Sequence, residues 1–244
     1  MNVIEQAILF AVNAHSGAKR KSTSIPYILH PLEAAAIASE LTDDEEVIAA
    51  AVLHDVIEDT DYGEADLRAD FGDRIVSLIC SDTEDKRRDR PAEETWRVRK
   101  QETIDHLAGA AEEELIIAFS DKLANLRAIW NDYLTIWEPF WERFSQKDPK
   151  EQLWYYESVY QACARLADKP VYREYGWRLN EIRLRIREYL ETGGHDTHAL
   201  EVLATPDDRK WVFRMAGTED VLSMTEEEFQ GFLSEQKNVK EESF

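Results

Sequence analysis

The chain holds few of the residues that staple or punctuate irregular folds: two cysteines, nine glycines and seven prolines in 244 residues. Cys80 and Cys163 stand in unrelated contexts with no CxxC, which argues against a disulfide framework or a zinc knuckle and leaves buried, reduced thiols as the expectation. Residues 1–12 lack a basic start followed by a long apolar run, and no membrane-length run occurs elsewhere. A secretory signal and a membrane span are therefore not expected, and the chain reads as cytoplasmic. Positive charge is also short: 29 Lys and Arg against 50 Asp and Glu give a net charge of −21. Such a surface repels nucleic acid and anionic membranes, so a small anionic ligand must meet a local basic pocket.

What is present is helical in pattern. Hydrophobic residues make up 43% and charged residues 32%, ordinary for a helical protein of one well-cored domain with a small appendage. Ile4, Ile8, Ala11 and Val12 share a face that leads to His15. Thr42 with Glu45 reads as a capping box for a helix that carries Val47, Ala50, Ala51 and His54 inward and continues through Glu58 and Asp59. A helical pair is expected around Phe71-Gly72, another helix after Pro91, and a strongly apolar one over 112–129. Asp121 lies in that apolar helix, where an unpaired buried carboxylate would be very costly, so it needs a partner.

Three short words supply that partner. Pro26-Tyr27-Ile28-Leu29-His30-Pro31 sets a histidine at the start of a helix, His54-Asp55-Val56-Ile57-Glu58-Asp59-Thr60 adds a second histidine and a carboxylate, and Ser120 to Arg127 brings Asp121. Two imidazoles and two carboxylates suit a borderline divalent metal such as Mn, Fe, Co or Zn. The ordered His, His-Asp, Asp pattern resembles the HD superfamily of metal-dependent phosphohydrolases. With His15 to Lys21 and Thr83-Glu84-Asp85-Lys86, it is similar to the hydrolase domain of RelA/SpoT homologues over residues 1–130.

That resemblance implies an all-α, HD-domain helical bundle in which His30, His54, Asp55 and Asp121 hold one divalent metal, most often manganese. It implies that Glu58 and Asp59 are the catalytic acidic pair and that the reaction removes the 3′-pyrophosphate of ppGpp or pppGpp. Arg20 matches the position that stacks on the base, Lys21 and Lys86 are candidates for phosphate neutralisation, and Asn125 matches a nucleoside contact. The sequence left after the hydrolase is too short for a synthetase domain, so the expected chain degrades the alarmone and does not make it. Two rivals stay open: the same chemistry on another nucleotide, such as an adenosine alarmone or the 2′-phosphate of NADPH, and a sensor that binds without turnover. Trp96 to Gln101 resembles a segment of small bacterial members, and the base, guanine or adenine, is left open.

The expected catalytic domain covers 1–192, with the motifs in 1–130 and an aromatic helical extension over 131–192 that holds Trp137, Trp141, Trp154 and Trp177. At helical spacing these read as core packing or as a surface for a homo-oligomer before they read as base-stacking platforms. Residues 193–244 form the appendage: a hairpin of Trp211–Met215 and Val221–Met224, a short helix capped by Thr225 with Glu228, and a disordered end from Gln236. His195-Asp196 repeats the His-Asp dipeptide without the matching words around it and reads as chance, and His106 and His198 read as surface or packing residues.

Overall fold

A computed structural model describes residues 1–21, 23–135, 140–191, 200–204, 210–215 and 221–225. The chain divides into two compact units, Met1–Ile186 and Arg187–Phe244.

The first unit is helical and is built around α3 (Glu45–Leu53), whose residues Val47 to Leu53 are all buried. A helix that is apolar on every side must be covered on every side. The covering helices are α1 (Val3–Ala14), α2 (Leu29–Ser39), α5 (Glu64–Asp82) and α7 (Glu112–Thr135). Asn2 starts α1 through a reciprocal capping box with Glu5. The expected Thr42 cap is corrected. Asp44 is the N-cap, its carboxylate accepting from the Glu46 amide at 2.9 Å, while Thr42 closes the preceding turn by accepting from the Asp44 amide.

Two helices break where chemistry or geometry requires it. The single helix expected from Glu45 through Asp59 stops at Leu53; His54 and Asp55 form a turn, and the short α4 (Val56–Asp59) follows. In α5, Gly72 has φ 80° and ψ 176°, which divides the helix into the pair that Phe71-Gly72 announced. Helix α6 (Ala92–Gly109) begins directly after Pro91 and packs on α8 (Pro149–Ala162), which also meets α7. Helix α9 (Pro170–Glu191) follows. Most of the described tryptophans pack: Trp141 and Trp96 are buried, and Trp154 lies edge-on to Trp96 beneath the Arg97 guanidinium. Trp177 is 57% exposed, and Trp137 lies outside the described residues.

Among its described residues, the second unit holds three strands: β1 (Leu200–Ala204), β2 (Lys210–Met215) and β3 (Val221–Thr225), antiparallel in that order. β2 and β3 are the expected hairpin, with Phe213 opposite Leu222. β1, which pairs Leu200 with Met215, enlarges it to a three-stranded meander. The helix expected after Thr225 and the chain end lie outside the described residues, as do Gly193, Gly194, His195, Asp196 and His198.

Candidate active site

His30 enters the site from the first turn of α2, His54 and Asp55 from the turn between α3 and α4, and Asp121 from the middle of α7. His54 and Asp55, adjacent in the turn after Leu53, keep right-handed helical backbone angles and both reach the same point with their side chains. His54 Nδ1 donates to the Ala51 carbonyl at 2.8 Å, and because a carbonyl only accepts, the proton sits there and Nε2 faces the cluster. That Nε2 lies 3.0 Å from Asp55 Oδ2 and 3.6 Å from Asp121 Oδ1. His30 Nε2 lies 3.0 Å from Asp121 Oδ1 and 3.5 Å from Asp55 Oδ2.

Both histidines and Asp121 are buried, and their ligand atoms lie within 4.8 Å of one another. Burial favours neutral groups throughout the cluster, yet it is outweighed. His54 is held well above the ordinary histidine value by Asp55 and Asp121. Asp55 is held well below the carboxylate range by His54 and His30, and Asp121 by Lys122 and the same two histidines. Two ionised carboxylates and the buried Nε2 of His54 face one point, and a divalent cation there would take the place of the proton that the carboxylates hold on the imidazole. The residues fit such an ion.

One turn beyond, Glu58 and Asp59 face a lysine. Lys86 Nζ lies 3.0 Å from Glu58 Oε2 and 2.5 Å from Asp59 Oδ1, and Glu58 Oε1 accepts from the Glu84 amide at 2.6 Å. Lys86 thus sits on the acidic pair, and a phosphate reaching it would also meet those carboxylates. Arg20, Asn125 and Asp121 form a chain: Arg20 Nη2 donates to Asn125 Oδ1 at 3.2 Å, and Asn125 Nδ2 donates to Asp121 Oδ1 at 2.6 Å. Lys21 is exposed but lines the same cavity of about 420 Å³. His106 lies on an exposed part of α6, outside this lining.

Other lining residues escaped the sequence reading. The Tyr27 hydroxyl donates to Asp55 Oδ2 at 2.5 Å and lies 3.1 Å from Asp59 Oδ2. Asp82, pushed up to about 6 by burial despite Lys122 nearby, sits beside Asp121 and one residue before the Thr83 to Lys86 word. Lys122 pairs with Asp121. Phe144, Tyr155 and Tyr156, from the aromatic extension, line the same cavity.

The HD domain family profile matches residues 7–135, more than half of the chain and all of the motif-bearing helices. The chain belongs to the HD domain family. Among curated relatives, this HD domain is 41% identical over 129 residues to a GTP pyrophosphokinase of Streptomyces coelicolor, covering 52% of the chain and 14% of that protein. It is 34% identical over 129 residues to the guanosine-3′,5′-bis(diphosphate) 3′-pyrophosphohydrolase MESH1 of Danio rerio, covering 51% of the chain and 68% of that protein. The chain thus spans a small part of the long relatives and about two thirds of the short one. Among solved structures, a metazoan orthologue of SpoT described as hydrolysing ppGpp aligns with a TM-score of 0.58 at 24% identity, over 80% of this chain and 97% of that one. That likeness carries the fold. Among the described residues of this HD domain protein, no helix is long and apolar enough to cross a membrane.

Proposed function

We propose that the chain is a manganese-dependent hydrolase that removes the 3′-pyrophosphate of ppGpp and pppGpp, yielding GDP or GTP and pyrophosphate. The observation that carries this reading is the convergence of buried His30, His54 and Asp121 with the partly exposed Asp55, and of Glu58 and Asp59 one turn away, on a cavity of about 420 Å³. The names of the pyrophosphohydrolase relatives from Danio rerio and Aquifex aeolicus, the latter 35% identical over 129 residues, support the substrate.

In this reading His30, His54, Asp55 and Asp121 hold the cation, with Asn125 orienting Asp121 and Tyr27 orienting Asp55. A divalent cation bound there supplies Lewis acidity toward the phosphoryl oxygens and makes water a better nucleophile at neutral pH. Glu58 and Asp59 take the proton from that water, and Lys86 fixes their direction through its two ion pairs. As the water oxygen bonds to the 3′-linked phosphorus, the bond from that phosphorus to the 3′ oxygen breaks, the proton taken from water is returned to the 3′ oxygen, and pyrophosphate leaves. Arg20 offers a planar guanidinium to the base, and Lys21 offers charge to phosphate near the cavity edge. The catalytic body takes in residues 1–192.

The test is release of pyrophosphate or phosphate by manganese-loaded protein from ppGpp, pppGpp, pppApp and NADPH in parallel, with Asp55→Ala as the blank. Pyrophosphate from ppGpp and pppGpp, absent in the blank, is the expected result. Turnover only of pppApp or NADPH would keep the site and replace the substrate, and no turnover of any would reject the hydrolase reading.

A further inference from the structure

Beside Arg20 the main cavity adjoins a side recess of about 170 Å³. Arg20, Lys21, Tyr27, Asn125, Phe144 and Tyr156 line both spaces, whereas Asp132 and Arg143 line the recess and not the cavity. The chemistry above makes no use of this last pair. Arg143 stands in the 3₁₀ turn Phe140–Arg143, beyond the residues 7–135 that the family profile matches, so membership of the family assigns it nothing.

Arg143 Nη2 donates to Asp132 Oδ2 at 2.6 Å and to the Lys21 carbonyl at 3.1 Å. The guanidinium carbon lies 5.4 Å from the centre of the Phe140 ring and 5.5 Å from that of Phe144. These contacts hold the group in place, and only 12% of its side chain is accessible. They engage Nη2 alone. Nε and Nη1 are buried without a hydrogen-bond partner, and because buried donors left unmade cost stability, their retention asks for an acceptor. Asp132 offsets the charge of Arg143 and would repel a phosphate brought into the recess. The other cations of the lining are Arg20, bonded to Asn125, and Lys21, which is exposed. The rings of Tyr27, Phe144 and Tyr156 suit instead a planar heterocycle, whose edge can carry the acceptor.

We propose that Arg143 is a specificity-determining residue, which donates to the O6 carbonyl of a 6-oxopurine base in this recess and so selects guanine over adenine. Adenine presents an amino donor at the same ring position, which would set N–H against N–H. This rests on the nucleotide-hydrolase reading above, and adds to it the residue that discriminates the base. An Arg143 that served only to hold the Lys21 carbonyl would affect every nucleotide alike.

The experiment is calorimetric titration of GDP, inosine diphosphate, 2-aminopurine riboside diphosphate and ADP into manganese-loaded wild type and Arg143→Met, with thermal unfolding of both proteins. Inosine diphosphate keeps O6 and lacks the 2-amino group, and the 2-aminopurine compound does the reverse. Wild type should bind GDP and inosine diphosphate about tenfold tighter than the other two, and Arg143→Met should bind all four alike. The ligand series in wild type tests the O6 requirement without any substitution, so it decides the matter even where the variant unfolds. Equal affinity for all four in wild type, no binding of GDP by wild type, or an equal loss for all four in Arg143→Met overturns the proposal. A preference for O6 that depends on Arg143, in a protein that leaves ppGpp intact, keeps the base reader and removes the hydrolase reading. Hydrolysis of ppGpp without that preference does the opposite.

Discussion

A single hydroxyl joins the two ends of the acidic constellation. Tyr27 has one proton to donate, and the 2.5 Å contact places it on Asp55 rather than on Asp59 at 3.1 Å. Burial first, then the Asp55 charge, raises the phenol far above its ordinary value, so it stays a donor at any working pH. Tyr27→Phe should weaken metal affinity about tenfold, the lower end of the range for groups that orient a ligand, with the fold intact; wild-type affinity in a metal titration would remove Tyr27 from that role. Glu58→Gln should keep metal content and lower kcat by about 10² to 10⁴, and an unchanged kcat would take the proton-transfer role from Glu58. The histidines and carboxylates of the cluster were legible because each sat in a distinctive word. Tyr27 stood inside one of those words and was still missed, since its partners lie 28 and 32 residues away and only packing brings them together. Asp82 and Tyr155 were hidden for the same reason.

At the level of elements, apolar periodicity located the helices but not their ends. Asp44 displaced Thr42 as the cap of α3 because the helix starts one residue after it, a shift that hydrophobic spacing cannot resolve. The break at His54-Asp55 is invisible to periodicity, since Asp59 still donates its amide to the Asp55 carbonyl as a helix would. Gly72 was legible as a joint, and its φ of 80° with ψ of 176° is a conformation that side-chain-bearing residues hold only under strain. A Cβ there meets nothing within 4 Å, so Gly72→Ala tests the backbone alone. It should cost about 1–3 kcal/mol in urea unfolding, and an unchanged midpoint would contradict the strained geometry. Helix α9 is clamped to α7 by Glu174, which receives Arg127 Nε at 2.9 Å and Nη2 at 2.6 Å. Arg127 first, against burial and with help from Arg178, lowers Glu174 below its ordinary 4.5. A lowered carboxylate adds stability that is present above its unfolded value and is lost as pH falls through the folded one. Glu174→Gln should therefore cost about 1–2 kcal/mol at pH 7, and the gap from wild type should close below pH 4.5. A gap that does not depend on pH would assign the effect to packing.

For the whole molecule, 43% hydrophobic residues and few breakers foretold a helical body, and that body is what carries the site. The appendage was only half legible: β2 and β3 flank a turn signal, whereas β1 is a five-residue strand that the hairpin reading left out. The net charge of −21 makes the inward-facing cations, Arg20, Lys86, Lys100 and Lys122, the features that let an anion approach at all. All of these serve one claim, that His30, His54, Asp55 and Asp121 form a single divalent-cation site on which the fold converges. The most direct test is calorimetric titration of Mn²⁺ into metal-free wild type and Asp121→Ala, followed by thermal unfolding. One ion per chain in wild type, with about 2.7 kcal/mol of added stability at a free ion concentration a hundredfold above Kd, and neither effect in Asp121→Ala, is the predicted result. Binding of one ion to Asp121→Ala with wild-type affinity would contradict it.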